Sequence, residues 1–307
     1  MKYMAGSLLL LAVLFPYTAG YGQNVRDTTR IYRIETKDGN SFTGYILSQD
    51  SSILTIKTER SGEFKIPLDE IQSKTEIYGV RIVKDRMYAT NPQSEHYFWA
   101  PNGYGLRRGS SCYQNIWVLY NQVSLGVSNN LSLGAGILPL FLFAGAPTPF
   151  FVVPRISIPV VRDKLNIGTG AFLGTVLVED PGGFGLLYET TTFGSRDKNV
   201  SLGFAYGFVQ DKWMARPAIN LSVMLRTGPK GYFITENYAI PYKKDYFDEN
   251  GITEKEKYFA VISFGGRSLI RTVSLDYSLW IPVGSNIDTF VAIPFLGITV
   301  PFAGRDQ

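Results

Sequence analysis

The strongest constraint on this chain is a two-residue rhythm running through most of its length. Leu131, Leu133, Ala135 and Ile137 alternate with Ser132, Gly134 and Gly136. Leu165, Ile167, Thr169 and Ala171 alternate with Asn166, Gly168 and Gly170, and Val200, Leu202, Phe204, Tyr206 and Phe208 with Ser201, Gly203, Ala205 and Gly207. Ile219, Leu221, Val223 and Leu225 repeat the pattern against Asn220, Ser222 and Arg226. Side chains on a strand point alternately to its two faces, so each stretch is a strand with one apolar face and one small or polar face. Strands of about 9–13 residues built this way are the signature of a transmembrane β-barrel. A soluble sandwich also alternates, but it rarely puts its large residues on one face and packs the other with Gly and Ser.

Charge supports the same reading. Only Arg155, Arg162, Asp163 and Lys164 are charged between Cys112 and Val178, and three of these share one turn. Residues 137–153 are almost wholly apolar, yet Pro139, Pro147 and Pro149 defeat a helix there, each interior proline costing about 3 kcal/mol. Two apolar strands joined by a loop at 144–149 fit better. Across the rest of the chain, polar turns at 128–130, 162–164, 194–199, 227–231 and 265–268 alternate with loops at 144–149, 179–183, 210–213, 240–257 and 282–288. Outer-membrane barrels have short periplasmic turns and longer outer loops. Parity requires one earlier outward strand, and 97–104 supplies it, with 105–111 as its outer loop. The count becomes twelve, or ten if the proline-bearing segments near Pro101 or Pro241 do not pair. Tyr97, Phe98, Trp99, Trp117, Trp213, Tyr232, Tyr258, Tyr277 and Trp280 fall near strand ends, as interfacial girdles require. The last strand spans 290–302.

The N-terminal part is different. Met1 and Lys2, the apolar stretch 8–15, Pro16 and the small residues 19–22 read as a secretory signal peptide over 1–22. Residues 23–90 carry 21 charges in 68 positions, against 34 in 217 for 91–307. That break marks a small β-module, 23–90, preceding the barrel, 91–307. Its strands are expected at 31–36, 41–48, 53–58 and 63–66, with a hairpin turn at Asp38-Gly39-Asn40. Ile34, Phe42, Ile46, Leu54, Ile56, Phe64 and Ile66 make its core.

The order Asp38-Gly39-Asn40, Phe42-Thr43-Gly44-Tyr45-Ile46, then Phe64-Lys65-Ile66-Pro67 resembles Sm-like or SH3-like small barrels over about 45 residues. In the second part, Tyr97-Phe98-Trp99-Ala100-Pro101, Leu106-Arg107-Arg108-Gly109, Asn121 to Val127 and Gly194-Ser195-Arg196-Asp197-Lys198-Asn199 resemble a family of outer-membrane barrel proteins of Bacteroidota-type bacteria that has no assigned activity. The resemblance implies location and architecture only.

Composition excludes several chemistries. One Cys (Cys112) and one His (His96) make a Cys/His metal centre untenable, since such sites need three or four ligands. A net charge of +4 gives no pull toward nucleic acid. The run Gly168-Thr169-Gly170-Ala171-Phe172-Leu173-Gly174 lacks the strand-to-helix context of dinucleotide binding and reads as lumen-facing small residues. Catalytic residues, cofactor sites and metal sites are not expected. His96, at a strand start, has no substrate side to serve, and Cys112 reads as an inert thiol. Assigning the Gly/Ser face to the lumen turns Arg155, Glu189, Asn220, Arg226 and Asp276 inward, where charges either pair and close the lumen or line a solute path. Phe172, Leu187 and Phe193 are the residues that would fill it.

The expectation is an all-β chain: a small periplasmic β-barrel-like module followed by an antiparallel up-and-down barrel of about twelve strands, bathed in outer-membrane lipid. It serves small-solute passage or binding of a small apolar or amphipathic ligand. The alternative is a structural or scaffold role in the envelope, with 23–90 docking a periplasmic partner. An outer-membrane hydrolase comes third.

Overall fold

The computed structural model describes residues 30–58, 62–77, 80–83, 86–139, 146, 148–176, 182–248, 251–284 and 290–303. The signal peptide expected at 1–22, part of the 144–149 loop and most of the 179–183 and 282–288 loops lie outside these residues.

The N-terminal module is a five-stranded antiparallel sheet of β1 (Ile31–Thr36), β2 (Ser41–Gln49), β3 (Ile53–Thr58), β4 (Gly62–Pro67) and β5 (Ile71–Ile77), in the order β4-β3-β2-β1-β5. The first turn uses Gly39 at φ 86°, a left-handed conformation that glycine adopts without steric cost. Ile34, Leu54, Ile56 and Ile66 are buried together, with Phe42, Ile46 and Phe64 packed against them. A hairpin follows, β6 (Val80–Val83) with β7 (Arg86–Ala89).

The barrel has twelve strands. They are β8 (Ser111–Ile116), β9 (Tyr120–Gly126), β10 (Leu131–Ile137), β11 (Pro149–Val161), β12 (Leu165–Val176), β13 (Gly183–Ser195) and β14 (Lys198–Val209). After a two-residue strand β15 (Lys212–Trp213) come β16 (Ala218–Arg226), β17 (Gly231–Asp248), β18 (Gly251–Ile270), β19 (Val273–Val283) and β20 (Ile293–Ala303). Each pairs antiparallel with the next, β14 with β16, and β20 returns to β8, closing the sheet. Closure through the β20–β8 pairing removes the two free edges an open sheet would have and satisfies the ladder's backbone internally, as hydrocarbon demands. Tight turns at 127–130, 162–164, 196–197, 227–230 and 271–272 all lie at one end, together with the chain's entrance to β8 and its exit from β20.

The barrel is inverted relative to a soluble core. Leu133, Ile156, Leu202, Phe204, Leu221, Ile262, Phe264, Leu279 and Leu296 are exposed on the outer face. Ser157, Thr192, Ser201, Ser222, Ser263, Ser274 and Thr299 are buried on the inner one. Such an arrangement is stable only with apolar solvent outside.

Three expectations need correction. Residues 97–104 are not a strand; they lie inside the barrel. The strand they stood in for comes from splitting 112–127 into β8 and β9 around a turn with Trp117 at φ 52° and Val118 at φ 67°. The turn placed at 265–268 lies within β18, the real reversal being at Arg271 and Thr272, and most of the 240–257 loop is the paired extension of β17 and β18. Of the presumed girdle, Trp213, Tyr258 and Tyr277 do face outward, and Trp117 is exposed in its turn. Tyr97 and Phe98 are buried inside, Tyr232 and Trp280 sit on inward strand positions, and Trp99 faces the lumen cavity.

Candidate functional site: a plugged lumen beneath an apolar cavity

Residues 91–110 enter the barrel from the tight-turn end and fold there without regular structure, reversing through a bridge between His96 and Pro101. An irregular segment in a closed lumen must find partners for its backbone groups, because an unsatisfied buried donor or acceptor costs about 1–3 kcal/mol. The inward side chains supply them.

Glu236 Oε2 accepts three consecutive backbone N–H groups, from Phe98 at 2.7 Å, Trp99 at 3.0 Å and Ala100 at 3.1 Å. Its Oε1 accepts the Tyr238 hydroxyl at 2.5 Å. Arg267 is 0 % exposed and holds Asp276 through Nε at 2.6 Å and Nη2 at 2.9 Å. The same guanidinium donates to the carbonyls of Gln93 and Tyr97. Arg155 donates to the carbonyls of Glu95 and Asn102. Thr192 Oγ1 accepts the Gly103 N–H at 2.6 Å and Ser157 Oγ donates to the Gly103 carbonyl at 2.6 Å. The Tyr97 hydroxyl reaches Asn199 and Ser201, and Thr299 reaches Gln93. Gly168 has no side chain because the Asn102 carbonyl and Gly103 Cα pack where a Cβ would stand. The glycine run that resembled a nucleotide motif is in part a seat for this segment.

Every one of these anchors lies within six residues of its strand's tight-turn end. Above them the lumen opens into a cavity of about 290 Å³. Trp99, Ala100 and Pro101 form its floor with His96, Gln114 and Gln122, and Tyr120, Phe172, Leu186, Tyr188, Met214 and Tyr238 are among its walls. Phe172 stacks on Phe151 at 4.7 Å, and Phe151 on Tyr120 at 4.9 Å. A second hollow toward the outer rim shares Trp99, Phe172, Leu186 and Met214 with the first. Small-molecule sites are usually concave, mostly apolar and equipped with a few polar groups, with volumes of about 300–1,000 Å³.

Four of the five lumen candidates face inward. Arg155 and Asp276 hold the segment directly or through Arg267, and Asn220 lines the cavity. Arg226 closes the tight-turn mouth, with Asp197 at 3.3 Å and the Ala89 carbonyl at 2.7 Å. Glu189 faces the opposite way. It borders the cavity with Phe204, its partner across the ladder, but is exposed, whereas its neighbours Tyr188 and Thr190 are on the inward positions. Leu187 and Phe193 share its outward face, whereas Phe172 does fill the lumen.

Glu236 and Arg267 were not anticipated. Glu236 sits between Ile234 and Tyr238 on a face that reads as apolar, and Arg267 falls in a stretch taken for a turn. His96 is not at a strand start: it reaches the cavity floor, with Nδ1 3.5 Å from Glu95 Oε1 and no hydroxyl bonded to it among the described residues. Cys112 is buried near the tight-turn end of β8, not beside an outer loop.

No protein-family model matches the chain, and no curated protein matches it. Solved structures similar to it include OmpT of Vibrio cholerae, an outer membrane protein, in its outer-membrane-expressed form, at 10 % identity and a TM-score of 0.34 over 89 % of this chain and 95 % of that one. Its loop L8 deletion mutant matches at 11 % identity and a TM-score of 0.37 over 89 % and 97 %. The fold is an outer-membrane β-barrel, carried here by the closed twelve-strand ladder and its apolar outer band.

Proposed function

We propose that this chain is a non-enzymatic outer-membrane protein that binds a small apolar or amphipathic ligand in the outer half of its lumen. The observation that carries the reading is the juxtaposition of a segment hydrogen-bonded across the periplasmic half and an apolar cavity directly above it. A free solute path would need that half open. On this reading the tight-turn end faces the periplasm, residues 1–22 direct export, and the module of residues 31–77 stands on the periplasmic side. Two measurements test it. Purified, folded protein in planar bilayers should give no steady channel events, and an apolar fluorophore should bind and quench Trp99 emission by energy transfer or contact. Sustained ohmic conductance from the parent chain would overturn the reading in favour of solute passage.

The scaffold reading also has an observation behind it. Ala89 N–H bonds to the Pro229 carbonyl at 3.1 Å, and Arg226 donates to the Ala89 carbonyl and lies over the Tyr88 ring at 5.4 Å. The hairpin after the small sheet is therefore tethered to the barrel's tight-turn mouth, which suits a module that docks a periplasmic protein. Proteinase treatment of whole cells should spare residues 31–77 until the outer membrane is permeabilised; cleavage on intact cells would sink this placement.

A further inference from the structure

The barrel wall is incomplete on one side, beside the cavity. Pairing between β16 and β17 runs from Arg226 opposite Tyr232 up to Ile219 opposite Ala239, and stops. Beyond that point β17 continues for nine residues, Ile240 to Asp248, and among the described residues its strand pairing there is with β18. The chain preceding β16 turns the other way: β15 pairs with β14, and the Met214 N–H bonds to the Gly207 carbonyl at 2.9 Å. Residues 215–217 bulge between the two. Pro217 and Pro241 flank the place where the ladder ends, and neither has an N–H to continue it. Across the break the Tyr258 hydroxyl reaches the Pro217 carbonyl at 3.3 Å, a contact on the outer surface rather than a strand pairing.

The height of this break decides what it faces. Eight paired residues of β16, Ile219 to Arg226, separate it from the tight-turn end. At about 3.3 Å per residue and a tilt near 40°, that is roughly 20 Å of a hydrocarbon band about 25 Å tall. The break thus opens at the level of the outer leaflet. On its outer side Tyr206, Trp213 and Tyr258 are exposed, with Arg216 and Lys243 exposed at the rim of the break. Its inner edge is the cavity itself, since Met214, Ala218, Ile219 and Ile240 line it.

We infer that the cavity is reached sideways from the outer leaflet through the β16–β17 break, and that its occupant is an unbranched acyl or alkyl chain with a small hydrogen-bonding head. This rests on the ligand-binding reading above and adds the route and the chemical class. A chain moving from lipid into the cavity passes from one apolar surrounding to another and never crosses water, so it incurs no hydrophobic penalty on the way. Phe172, Leu186, Met214 and Ile240 surround the chain. The head meets His96, Gln114 or Gln122 at the floor, where the segment below stops it from going further.

The test uses the full chain in phosphatidylcholine vesicles, with Trp117, Trp213 and Trp280 replaced by Phe so that Trp99 reports from the cavity. Dibrominated stearic acid, already dissolved in the vesicle lipid, should quench Trp99. In a second arm, phosphatidylcholine carrying the dibrominated chain shows whether a free acid or a membrane lipid's own chain is the source. Ala239→Cys, on the outer face at the break, is then modified with a bulky methanethiosulfonate reagent. Quenching should begin at least about tenfold more slowly and recover when the adduct is reduced. The same adduct on Leu221→Cys, lower on the outer face, should leave the rate unchanged, and heat-modifiable gel mobility confirms that each variant is folded. Unslowed quenching with the Ala239 adduct in place would overturn the lateral route while leaving the cavity as a binding site. Absence of quenching by either brominated species in the unmodified protein would overturn the chain-binding assignment, and binding of the apolar fluorophore would then tell whether the cavity binds anything.

Discussion

Replacing Glu236 by alanine should free the internal segment while leaving the barrel folded. The carboxylate accepts the N–H groups of Phe98, Trp99 and Ala100, all at 2.7–3.1 Å, and Glu236 is 0 % exposed. Each donor left without a partner in the interior costs about 1–3 kcal/mol, so three would cost about 3–9 kcal/mol if all stayed dry. Ala100 and Tyr238 line the cavity, so water can reach part of the vacated site, and removing a buried charge recovers some desolvation energy. The working figure is therefore about 3–4 kcal/mol, which at 1.4 kcal/mol per factor of ten is a loss of roughly 10²–10³ in amide protection. Hydrogen exchange read by mass spectrometry on the detergent-solubilised full chain would report it on peptides covering residues 97–101. Glu236→Gln keeps an acceptor oxygen and loses only the charge assistance, so its effect should stay within about tenfold. Amides in β11–β14 should exchange as in the parent. If Glu236→Ala leaves Phe98, Trp99 and Ala100 as protected as before, the carboxylate is not what holds the segment. If the variant loses its heat-modifiable mobility, segment and barrel form one cooperative unit.

Three further outcomes are expected. Arg267→Ala strands Asp276 as an unpaired buried carboxylate and removes the donor to the Gln93 and Tyr97 carbonyls, which should cost about 3–5 kcal/mol in urea unfolding. The double variant Arg267→Ala, Asp276→Ala should be less destabilised than the sum of the singles, and additivity would count against the pairing. Phe151→Ala removes the ring between Tyr120 and Phe172 and should lower unfolding stability by about 3–5 kcal/mol, with tighter fluorophore binding excluded because the cavity wall collapses or hydrates. In the N-terminal module, hydrogen bonds from the Thr36 hydroxyl and the Asn40 amide hold Asp38 below the ordinary carboxylate range. A carboxylate whose folded value is depressed stabilises fully above its unfolded value, near 3.8, and loses that contribution as pH falls through the lower folded value. Protection of the Asn40 amide in the full chain should thus decline below about pH 4 and become insensitive to pH there in Asp38→Ala; an unchanged profile in the variant would refute the assignment.

Much of the fold was legible because a closed sheet transmits its two-sided environment directly into residue alternation. The module's strands at 31–36 and 53–58 follow from alternation between good turn signals, and its core is the set of inward positions. The barrel failed to read only where local chemistry left no mark. The turn between β8 and β9 puts Trp117 and Val118 in the left-handed region with no Gly or Asn to announce it. Asn115 accepting the Val118 N–H and Trp117 Nε1 donating to the Pro294 carbonyl hold it there, and both contacts are invisible to a local reading. With that turn missed, parity demanded a strand elsewhere, and the aromatic residues 97–104 supplied a false one. Glu189 misled for another reason. Both faces of β13 are mixed, with Leu187, Glu189, Thr191 and Phe193 outward and Phe184, Leu186, Tyr188 and Thr190 inward. A carboxylate is then assigned to the polar side by default.

The same physics explains why the polar lumen suggested a water path. Ser, Thr and Asn on inward positions are what an aqueous channel requires, but they are equally what an irregular internal segment requires. Such a segment has no ladder of its own, so each of its buried N–H and C=O groups must be met by a side chain from the wall. Thr192, Ser157, Arg155, Arg267 and Glu236 meet backbone groups of residues 93–103 in this way. Composition alone cannot separate water from peptide as the partner of these groups. What separates them is the small-residue pattern: Gly168 sits where only backbone has room, directly against Asn102 and Gly103. Water would have tolerated a side chain there, whereas a packed peptide does not. Gly168→Val should therefore loosen residues 97–103 much as Glu236→Ala does, without touching a single hydrogen-bonding side chain. Exchange at those amides as slow as in the parent would mean that the segment has room to spare beside Gly168.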